Sequence, residues 1–225
     1  MNLKIVSTSD SSKTLYTSQF DEHYHSTHGA LNESLHVFIK SGLQHCNLNS
    51  IKIFEVGLGT GLNVILTYLE TLKKEIEIDY EAIELYPVRQ NIIKNLKFDE
   101  FVPKEHQNII SKIHESSWDQ EITISDKFKL KKINSDFNSF QFEKKFDIIY
   151  FDAFAPDKQP GIWSKENFIK IYKSLNNNGI LTTYSSKGLV KNNLRSAGFK
   201  VKRLSGPKGK RHILRAIKDK QINFF

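Results

Sequence analysis

A glycine-rich segment, E-V-G-L-G-T-G at residues 55–61, constrains the fold of this chain more than any other feature. The β-branched and aromatic run 51–56 predicts a strand, and in residues 61–73 leucine and isoleucine recur at helical spacing. Glycines permit a tight turn and a close approach of ligand to backbone, because they have no Cβ atom. The free N–H groups at the start of the next helix favour a polar ligand. The segment therefore predicts a nucleotide-type site between a strand and a helix.

Strand-like and helix-like runs alternate along most of the chain. With helices of roughly 10–15 residues between strands, this pattern predicts a doubly wound, mainly parallel α/β sheet. The last two strands are separated only by the turn sequence G-P-K-G at 206–209, so they are expected to be antiparallel. The predicted strands are 51–56, 76–85, 128–133, 146–151, 179–184, 200–204 and 212–217. The predicted helices are 61–73, one opened by Pro87, 164–175, and 189–197 ending before Gly198.

Residues 1–50 differ from the rest. The runs 3–6 and 14–17 predict a β-hairpin, and residues 30–41 predict a helix. We therefore expect an N-terminal appendage over residues 1–50 that covers a cleft, followed by the main domain at 51–225.

Acidic residues follow the second and third predicted strands. Glu84 lies 23 residues after Gly61, where a carboxylate can accept hydrogen bonds from both hydroxyls of a ribose. A dinucleotide fingerprint has the form G-x-G-x-x-G, whereas here the third glycine comes one residue early. The form E-x-G-x-G-x-G resembles the S-adenosylmethionine loop of class I methyltransferases, whose sheet also ends in an antiparallel hairpin. In that family an acidic residue with an apolar neighbour, here Asp136 and Phe137, often contacts the adenine.

Asp152 follows the fourth predicted strand, in the sequence D-A-F-A-P at 152–156. In open α/β sheets ligands bind at this edge. Methyl transfer from a sulfonium requires a neutral nitrogen lone pair, so an ammonium must first lose a proton. A carboxylate beside the amine can accept that proton. We therefore expect Asp152 to be the catalytic carboxylate.

Positive charge dominates the sequence and its C-terminal part in particular. The 33 lysines and arginines exceed the 25 acidic residues, and the net charge is +8. Such a surplus favours a polyanionic partner, of which nucleic acid is the commonest. Between residues 200 and 220 only Asp219 opposes the cations, which are Lys200, Lys202, Arg203, Lys208, Lys210, Arg211, Arg215, Lys218 and Lys220.

Four segments carry a more specific resemblance. Residues 151–163, F-D-A-F-A-P-D-K-Q-P-G-I-W, are similar to the D-G-F-A-P-x-K-N-P-x-x-W signature of the tRNA (5-methylaminomethyl-2-thiouridine) methyltransferases, the methyltransferase half of MnmC-type enzymes. Residues 20–26, with Gly29 and Glu33 after them, resemble that family's F-D-D-x-Y-F-S segment. Residues 55–63 and 206–211 resemble its E-x-G-F-G-T-G-L-N and G-x-G-R-K-R loops. The resemblance extends over nearly the whole chain.

By this resemblance the reaction is methylation of the exocyclic amine of 5-aminomethyl-(2-thio)uridine at the tRNA wobble position. S-adenosyl-L-methionine is the implied donor, the tRNA anticodon stem-loop the implied partner, and Asp152 the catalytic residue. The expected cofactor contacts are Glu55, Gly57, Gly59, Thr60, Gly61, Asn63, Glu84, Asp136 and Phe137. The expected substrate contacts are Phe20, Tyr24, Phe154 and Pro156, with Lys208, Lys210 and Arg211 on phosphates.

The sequence departs from the family pattern at a few positions. Ala153 replaces a glycine, and Leu58 and His25 stand where aromatic residues are usual. Bifunctional members continue into a flavin-dependent oxidase that prepares the substrate, and the sequence to Phe225 has no room for one. We therefore expect the aminomethyl substrate to come from another enzyme.

Other functions remain open from sequence. A small-molecule N-methyltransferase or an aminopropyltransferase uses the same fold, and a non-catalytic RNA-binding module is a further alternative. His23, His25 and His28 match no common zinc spacing, and with the single Cys46 we expect no metal. No apolar run approaches the roughly 20 residues that span a bilayer, and the N-terminus does not resemble a signal peptide. We therefore expect a cytoplasmic protein that does not enter membranes.

Overall fold

The computed structural model describes residues 2–219, which form a three-stranded and an eight-stranded sheet. Lys220 of the basic run lies outside this range. The strands are β1 (Leu3–Ser7), β2 (Lys13–Thr17), β3 (Glu22–His23), β4 (Ser50–Val56), β5 (Glu77–Glu84), β6 (Glu121–Ser125), β7 (Phe128–Asn134), β8 (Phe146–Phe151), β9 (Leu175–Thr183), β10 (Lys200–Ser205) and β11 (His212–Ile217).

Six α-helices accompany the strands within the described residues. They are α1 (Ala30–Ser34), α2 (Leu62–Thr71), α3 (Gln90–Ile93), α4 (Asn108–Glu115), α5 (Lys165–Ser174) and α6 (Gly188–Ser196). A π-helical segment (Leu35–Lys40) continues α1, and short 3₁₀ turns occupy Leu43–His45, Lys94–Leu96, Phe98–Glu100, Lys104–His106 and Pro160–Trp163.

The large sheet has the strand order β10-β11-β9-β8-β4-β5-β7-β6. Strands β9, β8, β4, β5 and β7 are parallel, and β11 and β10 form an antiparallel hairpin beside β9. The predicted doubly wound α/β architecture with a C-terminal hairpin is confirmed. The sheet has eight strands where the sequence predicted seven, because residues 121–125 fold back on β7 through the two-residue turn at 126–127.

Strand β8 is buried on both faces of the sheet along most of its length. In β8, Ile148 and Tyr150 pack into one apolar cluster, while Ile149 and Phe151 pack into another on the opposite face. A parallel sheet covered by helices on both sides requires such a continuous apolar run. This double burial fixes the strand ends, from which the functional loops project.

The N-terminal region packs onto one of these faces. Leu15 of β2 and Phe38 of the π-helical segment belong to the same cluster as Tyr150, and the rings of Phe38 and Tyr150 lie 5.2 Å apart. Residues 30–40 are helical, close to the predicted helix at 30–41. The N-terminal region therefore packs directly against the large sheet.

Pro87 does not open a helix, in contrast to the prediction. The helix begins at Gln90, and Arg89 before it is extended, with φ −65° and ψ 139°. The preceding loop instead turns back on the strand end, since the Tyr86 N–H donates to Glu84 Oε1 at 2.8 Å. The β5–α3 loop thus serves the carboxylate at the end of β5.

The chain reverses its winding direction between β4 and β8. From β4 it moves to β5 and β7 on one side of the sheet, and it then crosses to β8 and β9 on the other. In sheets of this kind ligands bind at the switch point, beyond the carboxyl ends of the strands. Val56 pairs with Phe151, and the Asp152 N–H donates to the Val56 carbonyl at 2.9 Å. The loops after β4 and β8 therefore leave the sheet side by side.

Candidate active site

A cavity of about 600 Å³ lies over this switch point. Its floor is formed by the ends of β4, β5 and β8, and the loop after β7 contributes residues 135–138. Residues 20–27 of the N-terminal region cover it from above. The size lies within the usual range for small-ligand sites, roughly 300–1,000 Å³.

The glycine-rich loop forms one wall of the cavity. Gly57 has φ 92°, and a Cβ atom there would lie 2.6 Å from the carbonyl oxygen of Asp152. Gly59 has φ 51°, and a Cβ there would lie 3.1 Å from the Tyr24 ring. Both residues are in the left-handed region that favours glycine. Glycine is needed here because the loop passes between the backbone after β8 and the Tyr24 side chain.

Asp152 stands at the centre of the cavity wall, directly after β8. Its Oδ2 atom accepts a hydrogen bond from Asn63 Nδ2 at 2.8 Å. Burial raises the pKa of Asp152 to about 7, with a further increase from the negative charge of Glu33, while the Asn63 hydrogen bond and Lys210 oppose the shift. A carboxylate with a pKa near neutrality can both take up and release a proton at physiological pH.

Glu55 lies behind the loop rather than on the cavity wall. Its side chain is fully buried, accepting hydrogen bonds from Asn63 Nδ2 at 2.7 Å and from the Tyr80 hydroxyl at 2.9 Å. Burial raises the pKa of Glu55 well above its usual range. Thr60, Gly61 and Asn63 are likewise absent from the cavity lining. Of the cofactor contacts predicted within 55–63, the structure brings only Gly57 and Gly59 to the cavity.

The acidic residues after β5 and β7 do reach the cavity. Glu84 accepts hydrogen bonds from the Gly59 N–H at 2.9 Å and the Tyr86 N–H at 2.8 Å, and burial raises its pKa. Asp136 lines the same wall and accepts from the Asn138 N–H at 2.8 Å. Phe137 is 3% exposed and adds an apolar surface. Two carboxylates and one aromatic ring thus lie together on one side.

Aromatic side chains form a further part of the cavity lining. The rings of Phe20 and Phe154 are stacked with centroids 4.6 Å apart, and Tyr24 meets Phe154 edge-on at 5.0 Å. All three line the cavity, whereas Pro156 is buried beside it and does not. Burial raises the pKa of Tyr24, so its hydroxyl is neutral at physiological pH. The predicted aromatic contacts are therefore brought together.

Lys210 points into the cavity, in contrast to the predicted phosphate contact. Its Nζ lies 2.5 Å from Glu33 Oε2 and 3.9 Å from the centre of the Tyr184 ring. The neighbouring Gly209 packs against His28 so closely that a Cβ would lie 2.2 Å from the imidazole. The Lys210 side chain faces the cavity, while Lys208 and Arg211 are exposed.

Glu22, Tyr184 and Glu33 are among the cavity residues that were not singled out as contacts from the sequence. Glu22 Oε2 accepts a hydrogen bond from the Ala155 N–H at 2.9 Å, and the Tyr184 hydroxyl donates to the Ala153 carbonyl at 2.9 Å. Glu33 is 6% exposed and accepts from the Ser26 N–H at 3.1 Å. Glu22 and Glu33 lie within the segment that resembles the family motif, which is the one signal that marked them.

Neither a metal cluster nor a membrane span was found in the part of the chain that the structure describes. Residues 2–219 contain no group of three or more histidines, cysteines or carboxylates that could hold a metal ion. None of the helices in that range has the length and apolarity to cross a bilayer.

Comparison with known proteins identifies the family. Residues 96–219 match a family model described as S-adenosyl-L-methionine-dependent methyltransferase. The bifunctional tRNA 5-methylaminomethyl-2-thiouridine biosynthesis protein MnmC of Campylobacter fetus is 32% identical over 90% of this chain, which spans 34% of that protein. The curated MnmC relatives are thus about three times as long as the matched region.

Solved structures agree with this match. MNMC2 from Aquifex aeolicus superimposes with a TM-score of 0.78 and 26% identity, over 96% of this chain and 70% of the other. Spermidine synthase from Thermotoga maritima, with a TM-score of 0.59 and 14% identity over 96% and 69% of the two chains, shares the fold. The resemblance to the methyltransferase half of MnmC-type proteins is confirmed, and the chain belongs to the S-adenosyl-L-methionine-dependent methyltransferases.

Proposed function

We propose that this chain methylates the exocyclic primary amine of 5-aminomethyl-(2-thio)uridine at the wobble position of tRNA. The observation that carries the proposal is the position of Asp152, a carboxylate with a pKa near 7 between the glycine loop and the aromatic wall. The names of the MnmC relatives support the choice of substrate. A tRNA substrate implies a cytoplasmic protein.

The described residues fit S-adenosyl-L-methionine on one side of the cavity. This cofactor supplies an electrophilic methyl carbon on a sulfonium. Glu84 is suited to accept from ribose hydroxyls and Asp136 from the adenine amine, with Phe137 against the apolar base. The backbone of Gly57 and Gly59 leaves room for the ligand beside the strand ends. We assign these five residues to the cofactor.

Asp152 acts on the proton of the substrate amine. A primary alkylamine is mostly protonated at neutral pH, and its lone pair is free to attack only after the proton has left. The ionised carboxylate accepts that proton, and a pKa near the working pH is the value at which such transfer is most effective. By holding the nitrogen, the same group orients the lone pair, and positioning accounts for a large part of the acceleration.

The rest of the cavity suits a cationic amine attached to a flat ring. Glu22, Glu33 and Asp152 carry three carboxylates against the single ammonium of Lys210, which favours an incoming cation. Phe20 and Phe154 offer faces on which a splayed anticodon base can stack. Residues 1–50, which we regard as an appendage to the methyltransferase domain at 51–225, contribute the covering residues.

Exposed cations beside the cavity mouth are suited to hold the anticodon stem-loop. Lys208 and Arg211 flank Lys210 on the loop between β10 and β11 and face outward. Contacts to phosphates fix the orientation of an RNA without reading its sequence, so recognition of the base is left to the cavity. We assign these two residues to the RNA backbone.

Incubation with methyl-labelled S-adenosylmethionine and tRNA bearing 5-aminomethyl-2-thiouridine tests the proposal. After digestion, the label should appear in 5-methylaminomethyl-2-thiouridine, and tRNA without the aminomethyl group should take up none. The variant Asp152→Asn should transfer the label roughly 10²- to 10⁴-fold more slowly. Asp157→Asn is the matched control, because Asp157 lies on the same loop but is exposed and paired with Lys187.

The alternatives predict different results. An aminopropyltransferase, suggested by the shared fold of spermidine synthase, would transfer from decarboxylated donor to a diamine and leave tRNA unlabelled. A small-molecule methyltransferase would place the label in a metabolite. A non-catalytic RNA-binding module would retain tRNA without any transfer. Each of these outcomes contradicts the proposed reaction.

A further inference from the structure

One asparagine amide connects the carboxylates of two different strands. Asn63, in the first turn of α2, donates from Nδ2 to Glu55 Oε1 at 2.7 Å and to Asp152 Oδ2 at 2.8 Å. Asn63 is 3% exposed and Glu55 is fully buried. Since an amide nitrogen carries two hydrogens, both bonds are satisfied at once. The orientation of the Asp152 carboxylate is therefore linked to a group that is closed off from the cavity.

Glu55 is in turn fixed by a neighbouring strand. The hydroxyl of Tyr80 on β5 donates to Glu55 Oε2 at 2.9 Å, and Tyr80 is fully buried. Each oxygen of the Glu55 carboxyl thus has one partner, and both partners lie in rigid elements. A buried polar group with all its partners in place keeps a single conformation, because any other would leave hydrogen bonds unmade.

We propose that Glu55 and Asn63 are positioning residues, which hold the Asp152 carboxylate in place, rather than contacts to the cofactor. The chain runs from Tyr80 through Glu55 and Asn63 to Asp152, and so from the β4–β5 pair to the end of β8. That Asp152 is the proton acceptor rests on the proposed function. The hydrogen-bonded chain itself rests only on the structure.

This assignment explains the residues at both ends of the glycine-rich segment. The segment begins with Glu55 and continues to Asn63, eight residues later, across the turn made by the glycines. The turn brings the start of α2 beside the end of β4, so the two side chains meet beneath the loop. Glycines at Gly57 and Gly59 leave the cavity side of the loop open. The polar side chains of the same segment act on its other side.

Several charged groups face Asp152 and enter its titration. Glu33 on α1 and Glu22 on β3 raise the pKa of Asp152, and Lys210 on the β10–β11 loop lowers it. Asp152 also raises the pKa of Tyr184 after β9 and of Glu55 on β4. Asn63 is the uncharged partner, which stabilises the ionised form by donating a hydrogen bond. Its removal should therefore shift the Asp152 midpoint upward without removing any charge.

Carbon-13 NMR titration of the full chain labelled at aspartate Cγ tests this directly, with Asp152→Asn to assign the signal. In Asn63→Leu the midpoint of Asp152 should rise by roughly one to two units, as expected for loss of a hydrogen bond to a charged group. The matched control is Asn193→Leu, which removes an amide that donates to the Trp163 carbonyl instead. An unchanged midpoint in Asn63→Leu would overturn the proposal.

A pair of Glu55 variants separates positioning from cofactor contact. Glu55→Gln keeps a carbonyl for Asn63 and an amide facing the Tyr80 oxygen, so both the Asp152 midpoint and the affinity for S-adenosylmethionine should stay within about threefold of the wild type. Glu55→Leu leaves the Asn63 amide without its second acceptor, so the midpoint of Asp152 should move away from its wild-type value. A loss of cofactor affinity of tenfold or more in Glu55→Gln, measured by calorimetry, would overturn the proposal.

These measurements do not depend on the identity of the acceptor. If tRNA proves not to be methylated, the proposed function fails while the titration and the calorimetry still decide the role of Glu55 and Asn63. If tRNA is methylated but Asn63→Leu titrates like the wild type, the positioning role alone fails. Glu55→Gln is nearly isosteric and should fold, so the calorimetric result stands even if the leucine variants do not fold.

Discussion

Lys210 and Glu33 form an ion pair inside the cavity, with 2.5 Å between Nζ and Oε2. The pair joins the loop between the last two strands to helix α1 of the N-terminal region. A second contact runs beside it, since His36 Nε2 lies 2.8 Å from the Ser205 carbonyl oxygen. The basic loop is therefore divided in function: Lys210 belongs to the cavity, and Lys208 and Arg211 belong to the surface.

The dependence of tRNA binding on salt should reflect this division. Replacing Lys208 or Arg211 by methionine or alanine should lower the slope of log affinity against log salt by roughly 0.7 for each lost phosphate contact with single-stranded RNA. Lys210→Met should leave the slope unchanged, because a cation paired with Glu33 inside the cavity releases no counterion. Fluorescence anisotropy with an anticodon stem-loop at several salt concentrations measures the slope.

Lys191 provides the control, since it lies on α6 away from the loop and carries the same charge. Lys191→Met should behave as the wild type. A slope that falls for Lys210→Met as much as for Lys208→Met would show that Lys210 leaves Glu33 to contact the RNA, which would contradict the division proposed above.

Gly57→Ala should abolish cofactor binding. The added Cβ would lie 2.6 Å from the Asp152 carbonyl oxygen, and the residue would also have to keep φ near 92°. Both the clash and the unfavourable φ angle involve backbone atoms, so the loop must move away from β8 and the cavity floor must change. Calorimetric titration with S-adenosylmethionine should show no measurable binding, together with a lower Tm.

Gly161→Ala is the matched control, because a Cβ atom at that position would have open space within 4 Å and the φ of Gly161 is not in the left-handed region. This variant should bind the cofactor as the wild type does. Normal cofactor affinity in Gly57→Ala would mean that the close contact between the two loops is not needed for the site.

The parts of the site that sequence predicted are those set by local pattern and by strand ends. Asp152 and Glu84 follow strands of a parallel sheet, so their position at one edge follows from topology alone. The glycines stand where a turn requires them. Phe20 and Tyr24 were marked only by resemblance to a family segment, since neither hydropathy nor spacing connects the N-terminal region to the cavity.

The directions of Glu55 and Lys210 were beyond sequence reasoning, for two physical reasons. Residues 53–56 of β4 are all buried, so hydropathy in this half of the strand does not show whether Glu55 faces the core or the cavity. Its direction depends on Asn63 and Tyr80, which belong to other elements. Lys210 faces the cavity through its contacts with Glu33 and Tyr184, residues that lie far from it in sequence.

The rate of methyl transfer should rise with pH through about 7 and then level off as Asp152 becomes fully ionised. The carboxylate accepts the proton only in its ionised form, and the pKa of Asp152 is about 7. Below that value kcat should fall about tenfold for each pH unit. Asp152→Asn should be slower by roughly 10²- to 10⁴-fold, the usual contribution of a positioned base.

Single-turnover measurements between pH 5.5 and pH 9, in steps of roughly half a unit, would give this profile without interference from product release. Asp157→Asn should retain both the rate and the profile of the wild type. A wild-type profile that is flat from roughly pH 6 to about pH 8 would remove Asp152 from the proton transfer.

Stability should depend on the same carboxylate, with a sign opposite to that of the usual aspartate. Folding raises the pKa of Asp152 from 3.8 to about 7, so the folded state binds the proton more tightly than the unfolded chain does. Its contribution to the free energy of unfolding is fully present below pH 3.8 and is lost as the pH rises through about 7. Asparagine does not ionise, so the Asp152→Asn variant does not lose stability at this position as the pH rises.

The variant should therefore gain stability relative to the wild type as the pH rises from about 4 to about 7, by at most about 1.4 kcal/mol for each pH unit, and the difference should stay constant at higher pH. Urea unfolding of both proteins across this range measures the difference, in which the titrating groups that do not interact with Asp152 cancel. If the free energies of unfolding of the two proteins change in parallel between about pH 4 and about pH 7, the pKa of Asp152 is not raised in the folded protein. That result would contradict its role as a base with a pKa near neutrality.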